Sequence, residues 1–333
     1  MLNTFTRPRR RAIAGRLLGL ASLAMLGGFS PSWASAQATV RFMVPFPAGG
    51  AADSMARVIV EKLKDELQQT VVVDNRPGAS TRVAAELLKQ APADGNTVLM
   101  TLLDTMVIAP MVYNNLRYDP SKDFAPITEV ATVTYALAVN AAEPHRTVHD
   151  YLKAAQESKQ KASLGTTGLG STLHFLAYAF SNQSKADMTI VPFQGGPAMV
   201  TNLMGNQIGA AMDGLGVFLE AHRAKKLRIL AVSGSKRASQ LPEVPTFVEA
   251  GFPSLTSGSS YALYAPAGTP EAQINRWNKA MRKVLALPEV QARILNIGYE
   301  PLPGSSPDEV TQLRQKMVAQ WAPIVKASNY RSD

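Results

Sequence analysis

The sequence predicts an α/β protein of two lobes with a ligand cleft between them, and three observations lead there. Strand-like and helix-like segments alternate along most of the chain, the order that builds parallel sheets with right-handed crossovers. The alternation falls into two series joined by only a few crossings. Each series holds a glycine-rich segment between a strand and a helix, the place where such sheets collect ligands.

Residues 39–46 (TVRFMVPF) alternate, are rich in β-formers, and open the first sheet. They run into Pro47-Ala48-Gly49-Gly50 and then a helix over 53–68. Ala56, Ile59, Val60, Leu63 and Leu67 recur there at helical spacing as one buried stripe. Val71-Val72-Val73 is a short buried strand, stopped by Asn75-Arg76-Pro77-Gly78. A helix over 81–90 leads through Pro92-Ala93-Asp94-Gly95 into a strand over 97–102. Residues 135–140 are strand-like, and Thr147 with Asp150 three residues on reads as the capped start of a helix to about 158. The second series has a strand at 162–164, a helix at 171–182, a strand at 188–192 and a helix at 197–204. The segment 207–212, a helix over 217–224 and a strand over 227–232 complete it. A strand over 260–265 stops at Pro266-Ala267-Gly268-Thr269-Pro270, and the remainder is largely helical, chiefly over 270–286 and 307–327. Crossings near Asn140 and Gly258 would place residues 37–140 and 259–333 in lobe 1 and residues 141–258 in lobe 2.

The N-terminal 36 residues read as an export signal. Arg7, Arg9, Arg10, Arg11 and Arg16 stand there without a single acid, an apolar run over 17–29 follows, and Ala34-Ser35-Ala36 supplies small residues for cleavage before Gln37. The run is shorter than the ~20 residues a membrane span needs. Arg10-Arg11 makes only a poor twin-arginine motif, so the general secretory route is the better match. A periplasmic address follows, and with no Cys after the cleavage site a lipoprotein anchor is excluded.

Composition narrows the classes further. At 46% hydrophobic and 18% charged, the 333 residues can bury real cores, which excludes a disordered chain or a collagen-like fibre. Zero cysteines removes thiolate zinc sites, iron–sulfur clusters and thiol catalysis. The net charge of +9 suggests a polyanionic partner at first. The signal accounts for five of the 34 basic residues and none of the 25 acids, so the rest carries +4. Those charges are scattered, without a run of like sign, and no nucleic-acid footprint remains.

Candidate chemistry is sparse. His145 and His149 are four apart, but Pro144 and the cap at Thr147 leave His145 outside the helix, so no metal is expected. Ser171 and His174 could pair as nucleophile and base. No G-x-S-x-G turn frames them, however, and a helix N-cap is the better reading of Ser171. Residues 165–171 (GTTGLGS) fail as a dinucleotide fingerprint, because Leu173 stands where the third glycine belongs, and they lack a phosphate-loop lysine. What survives is a helix N-terminus with free N–H groups and nearby hydroxyls, suited to a small anion. Residues 47–53 make a similar element in the first lobe, where Gly49-Gly50 lets backbone approach closely. A tight strand–helix connection explains either one alone. Two together suit a ligand with a carboxylate at each end.

Residues 45–53 (PFPAGGAAD) with Arg57, and 74–79 (DNRPGA), resemble the solute receptors of tripartite tricarboxylate transporters, also called Bordetella uptake gene (Bug) receptors. The likeness continues through 93–97 (ADGNT), 118–127 (YDPSKDFAPI), 165–174 (GTTGLGSTLH) and 191–198 (VPFQGGPA). It ends with 226–232 (KLRILAV), 241–251 (LPEVPTFVEAG) and 265–270 (APAGTP), and so spans residues 40–328 in order.

The resemblance implies a type II periplasmic-binding-protein fold, two α/β lobes that close on a small carboxylate. It implies no catalysis, cofactor or metal, and it implies membrane transport subunits as partners of a monomer. Carried over, the first-lobe site residues are Phe46, Ala48, Gly49, Gly50 and Asp53, with Thr101 and Thr105 at the end of the third strand. The second lobe supplies Thr166, Gly168, Gly170, Ser171, His174, Phe193 and Asp213. Two departures bear on specificity. After Pro77-Gly78-Ala79 the family usually continues Gly-Gly-Asn, whereas this chain has Ser80-Thr81-Arg82. Arg82 is either a two-donor clamp on a ligand carboxylate or a solvated arginine on the second helix. Ser260 stands where an aromatic is common, which would enlarge the pocket if it lines the cleft. A receptor that presents its ligand to a sensor kinase, and a periplasmic enzyme on the same fold, are the alternatives.

Overall fold

In the computed structural model, residues 39–256 and 258–332 are described; the expected export signal and its cleavage point before Gln37 lie outside them. The first series builds β1 (Val40–Val44), α1 (Ala51–Leu67), β2 (Val71–Asn75), α2 (Arg82–Lys89) and β3 (Thr97–Leu102). The short helices α3 (Asp104–Val107) and α4 (Ala109–Val112) follow, and then the long strand β4 (Phe124–Val133). The second series runs β5 (Tyr135–Asn140), α5 (Val148–Glu157), β6 (Ser163–Thr167), α6 (Thr172–Ser184), β7 (Thr189–Phe193) and α7 (Gly196–Met204). It closes with β8 (Ala210–Gly214), α8 (Leu215–Arg223) and β9 (Leu227–Val232). The chain then returns through β10 (Ser259–Pro266), α9 (Glu271–Leu285), α10 (Pro288–Ile297), β11 (Glu300–Pro301) and α11 (Pro307–Ala327).

Local signals explain several of these boundaries. Ala56, Ile59, Val60, Leu63 and Leu67 of α1 are buried, so the stripe faces the core; Gln68 ends the helix in the left-handed region. Thr147 and Asp150 form a reciprocal capping box at α5, and Ser306 with Glu309 does the same at α11.

Two sheets result, within one compact unit. The first has the order β11-β4-β10-β3-β1-β2 and the second β7-β6-β8-β5-β9. Pairing is parallel in β2-β1-β3 and in β7-β6-β8, as the alternation implied. Elsewhere the pairing is antiparallel. β10 is antiparallel to both β3 and β4, and β5 is antiparallel to β8 and β9. The cause is the crossing itself: β4 carries the chain out of the first sheet, β10 brings it back alongside, and a returning strand must run the other way.

The outward crossing falls at Thr134, between β4 and β5, rather than near Asn140. Residues 135–140 pair inside the second sheet, with Asn140 at the far end of its strand. β4 itself escaped the sequence pattern because Pro126 and Glu129 interrupt its alternation. The ladder accommodates both: register shifts in the β4–β10 pairing fall where Tyr264 meets Pro126 and where Ala262 meets Glu129.

Each sheet is covered on both faces. Met55, Ile59 and Leu63 of α1 pack with Trp277, Met281 and Val284 of α9 on one face of the first sheet. Ala84, Leu88, Met106, Val112 and Trp321 cover the other. The Trp277 indole donates to the Gly95 carbonyl at 2.9 Å, so the polar edge of this large buried ring is satisfied. In the second lobe α5 and α6 cover one face, and Met199, Leu203, Phe218 and Leu219 of α7 and α8 the other. Strands β1, β3, β6 and β8 thus end at loops that feed straight into helices, and those loops carry the site.

Candidate functional site

The first-lobe loop over 46–50 is pinned from behind. Gly49 sits at φ +80°, where no side chain is comfortable, and its N–H donates to Asp53 Oδ2 at 2.9 Å. The same carboxylate accepts from Arg57 Nε at 2.8 Å and from Asn75 Nδ2 at 3.0 Å, and Asn75 Nδ2 also reaches the Phe46 carbonyl at 3.0 Å. Burial disfavours the Asp53 charge, but Arg57, the Gly49 N–H and Asn75 outweigh it and hold its pKa below the ordinary value. At 2% exposure Asp53 is a clasp inside the loop, and its oxygens are already spoken for. Ala48, Gly49 and Gly50 are exposed, the Ala48 N–H has no hydrogen-bond partner among the described residues, and α1 begins without a side-chain cap. That combination leaves open donors at a helix N-terminus. The Phe46 ring meets Tyr261 edge-on at 6.1 Å.

Behind β2 the backbone does something unusual. Gly78, Ala79, Ser80 and Thr81 have φ of 137°, 44°, 50° and 77° in succession, so three non-glycine residues stand in left-handed space. Each costs roughly 1–2 kcal/mol against ordinary backbone, and such runs persist only where surroundings hold them. The holding contacts are visible. Thr81 Oγ1 lies 2.6 Å from Thr105 Oγ1, which lies 2.7 Å from Thr101 Oγ1, a hydroxyl chain from the turn into the end of β3. Arg82 donates from Nε to the Ala79 carbonyl at 2.9 Å, and its guanidinium lies over the Tyr113 ring, 3.4 Å from the centroid. Its two terminal amino groups make no hydrogen bond among the described residues.

In the second lobe, Thr166 is buried at the end of β6, and the next residue, Thr167, donates to Asp213 Oδ2 at 2.6 Å. Gly214 N–H donates to Asp213 Oδ1 at 2.6 Å. Even so, burial pushes the Asp213 pKa up to about 6. Gly168 and Gly170 take φ of 67° and 75°, and Ser171 caps α6 by accepting from the His174 N–H at 3.4 Å. The Gly170 N–H donates to His174 Nδ1 at 3.3 Å, which assigns the ring proton to Nε2, and burial keeps the imidazole pKa low. This helix end is less bare than the sequence suggested. Asp104, from the first lobe, accepts from the Thr172 N–H at 2.9 Å and from Ser259 Oγ at 2.6 Å. Gly168 and Leu169 N–H remain as the open donors of the loop.

Two expected residues lie elsewhere. Phe193 ends β7 and packs over Gly165 within the helix-covered core of the second lobe. Ser260 is buried, with its hydroxyl near the Glu129 carboxyl. Side chains alternate along β10, so Ser260 shares the face of Ala262 and Tyr264, opposite Tyr261 and Phe46. The aromatic beside Phe46 is therefore Tyr261, itself backed by Tyr299 at 5.4 Å.

The remaining loops meet at a seam between the lobes. Leu169 carbonyl accepts from Ser80 Oγ at 3.4 Å and from Tyr113 OH at 3.3 Å. Tyr330, from the tail after α11, places its ring 4.7 Å from that of His174. Sequence reasoning missed Asp104, Tyr113 and Tyr330. Asp104 was detectable, as an acid just beyond the end of a predicted strand; the two tyrosines carry no local signal, since the second-lobe groups they meet, Leu169 for Tyr113 and His174 for Tyr330, are 56 or more residues away. Among the described residues no group of three or more His, Asp or Glu side chains could hold a metal ion. An open pocket of about 610 Å³, lined by His222, Arg223, Arg228 and Glu243 among others, lies on the flank of α8 and β9 and shares no residue with the seam.

Comparison with known proteins matches residues 55–330 to the tripartite tricarboxylate transporter family receptors. A Pseudomonas sp. (strain P51) protein from the tcbD–tcbE intergenic region is 30% identical over 318 residues, covering 95% of this chain and 94% of its own. Among solved structures, Rpa4515 of R. palustris with adipate superposes with a TM-score of 0.81 at 30% identity, covering 88% of this chain and 97% of that one. MatC of Rhodopseudomonas palustris, with bound malate, does so with a TM-score of 0.77 at 27% identity, over 86% and 98%.

Proposed function

The chain belongs to the tripartite tricarboxylate transporter receptor family, whose members are periplasmic solute-binding proteins rather than enzymes, and we propose that it captures a small mono- or dicarboxylate between its lobes. What supports this reading is the set of open backbone donors in the two glycine-rich loops, together with an Arg82 guanidinium whose terminal amino groups make no hydrogen bond among the described residues. Ala48 offers its N–H from the first-lobe loop, Gly168 and Leu169 offer theirs from the second, and Arg82 lies over Tyr113, whose hydroxyl bonds the Leu169 carbonyl. Donors without a paired acid favour an anion, and a planar guanidinium suits a carboxylate in particular. The adipate and malate found in relatives are dicarboxylates of different length, consistent with one end held by backbone and the other by a variable group.

The mechanism we infer is closure. With the lobes apart, each loop has half a site. A ligand that bridges them binds the closed form better than the open one, and that differential affinity shifts the population. The closed receptor then delivers the ligand to the membrane subunits of a tripartite transporter.

Titration calorimetry on Arg82→Ala tests the clamp. Charge-assisted hydrogen bonds of this kind contribute ~1.5–3 kcal/mol, so the variant should bind its best carboxylate at least tenfold more weakly. An unchanged affinity would remove Arg82 from the site and leave the backbone donors as its only anion contacts.

A further inference from the structure

The glycine-rich loop of the second lobe begins at a hydrogen-bonded pair, Thr167 and Asp213. β6 and β8 run parallel with Thr166 opposite Met212, so the next residue of each strand stands at the same end of the sheet. There Thr167 Oγ1 donates to Asp213 Oδ2 at 2.6 Å, and the Gly214 N–H holds the other oxygen, Oδ1, at 2.6 Å. Thr167 is half-buried and directly precedes Gly168, whose N–H is open, whereas Asp213 is buried. No cation offsets this acid among the described residues: burial disfavours its charge, and only Thr167 and the Gly214 N–H favour it. The groups around it are three tyrosines, Tyr135 of β5, Tyr261 of β10 and Tyr299 before β11, all kept neutral by burial, with Asp104 on the far side of Tyr135. A buried carboxylate without a cation is a costly neighbour for a loop that is to receive an anion. Thr167, Gly168, Asp213 and Gly214 all belong to the second lobe, so their geometry does not depend on where the first lobe stands.

We propose that Thr167 is a ligand-binding residue whose hydroxyl hydrogen is released to the ligand carboxylate when Asp213 takes up a proton from solvent, so that capture is proton-linked. Ionised, the Asp213 carboxylate only accepts, and it occupies the Thr167 hydrogen. Protonated on Oδ2, it donates to Thr167 Oγ1 instead, and the threonine hydrogen is free to turn outward beside the Gly168 and Leu169 N–H groups. The incoming anion drives the exchange, because a second negative charge nearby disfavours the ionised acid. Asp213 is thus a positioning residue that acts through Thr167. Burial has already brought its pKa up to about 6, so at pH 7.5 it is mostly ionised before binding and a proton arrives with the ligand. The inference rests on the carboxylate reading above and adds one donor and one proton to it.

Titration calorimetry of the full chain with adipate and with malate, in buffers of low and high ionisation enthalpy, counts the protons. At pH 7.5 the parent should take up about half a proton or more per ligand, and its affinity should fall about fivefold or more between pH 6.5 and pH 8.5. Asp213→Asn is the decisive variant. The Gly214 N–H keeps the amide oxygen in the place of Oδ1, so the amide nitrogen faces Thr167 and stands in permanently for the protonated acid. This variant should take up no proton, show a flat pH profile and bind more tightly than the parent at pH 8.5, a gain that damage to the site does not give. Thr167→Val should weaken binding about tenfold at pH 6.5, whereas Thr167→Ser keeps the hydroxyl and the affinity. Binding without proton uptake overturns this inference alone. So does uptake that persists in Asp213→Asn, or an Asp213→Asn chain that binds more weakly than the parent at pH 8.5. If neither dicarboxylate binds at any pH, the inference falls together with the carboxylate reading.

Discussion

Two buried aspartates respond to acid in opposite directions, and each tests a different part of the site. Asp53 is held below the ordinary carboxylate range, so its stabilisation is complete above the unfolded value of 3.8 and is lost as pH falls through the lower folded value. Asp53→Ala leaves the Gly49 N–H and Arg57 without their acceptor and should cost about 1–3 kcal/mol in denaturant unfolding at pH 7. Asp213 is the reverse. Its pKa rises from 3.8 to about 6, so the folded chain binds the extra proton between those values and is penalised above them. Asp213→Asn should therefore be more stable than the parent at pH 7.5 by roughly 1–3 kcal/mol. The advantage should shrink as pH falls from 6 toward 4, and melting curves at several pH values will show it. A difference independent of pH would mean that Asp213 is not carrying a penalised charge. Of the residues expected at the site, the glycines and Ser171 were legible because turns and caps have a local chemistry. Ser260 was not, since its face depends on strand alternation in β10 relative to neighbours the sequence does not reveal.

At the scale of elements, most helices and strands were readable, β5 and β10 included, whereas β4 and the antiparallel pairing of β10 were not. α1, α5 and α6 announce themselves by a buried stripe, a capping box and a serine cap, all set by residues within one or two turns. β4 and β10 are set by partners more than a hundred residues apart, and the bulges that admit Pro126 and Glu129 exist only once those partners pair. For the same reason the crossing moved from Asn140 to Thr134. The site inherits this division. Each glycine-rich strand-to-helix turn was visible alone, whereas Asp104 accepting from the first turn of a helix of the other lobe is a property of the assembled sheets. Gly170 offers an element-scale check: Gly170→Ala would press a methyl group to within about 3.1 Å of Tyr113 Oη and Val112. The loop should then be driven off the first lobe, with weaker carboxylate binding and little loss of secondary structure by circular dichroism.

For the whole molecule, the charge balance argues against a polyanionic partner and fits the small anion proposed above. Five arginines belong to the expected export signal, the remaining excess is small, and many surface charges are paired locally, as in Arg237–Glu249, Arg293–Glu61 and Lys283–Glu66. No helix among the described residues is long and apolar enough to cross a membrane. The two sheets are connected at Thr134 and before β10, and in the proposed reading they close on a ligand held by backbone donors of the loops after β1 and β6. The most direct measurement is a thermal-shift series on the full chain with four- to eight-carbon mono- and dicarboxylates, aliphatic and aromatic, beside nucleotides and neutral sugars. The account predicts that at least one carboxylate raises the melting temperature in a saturable, concentration-dependent way, as mass action requires of a ligand that binds the folded form. A rise with sugars or nucleotides and none with any carboxylate would contradict it.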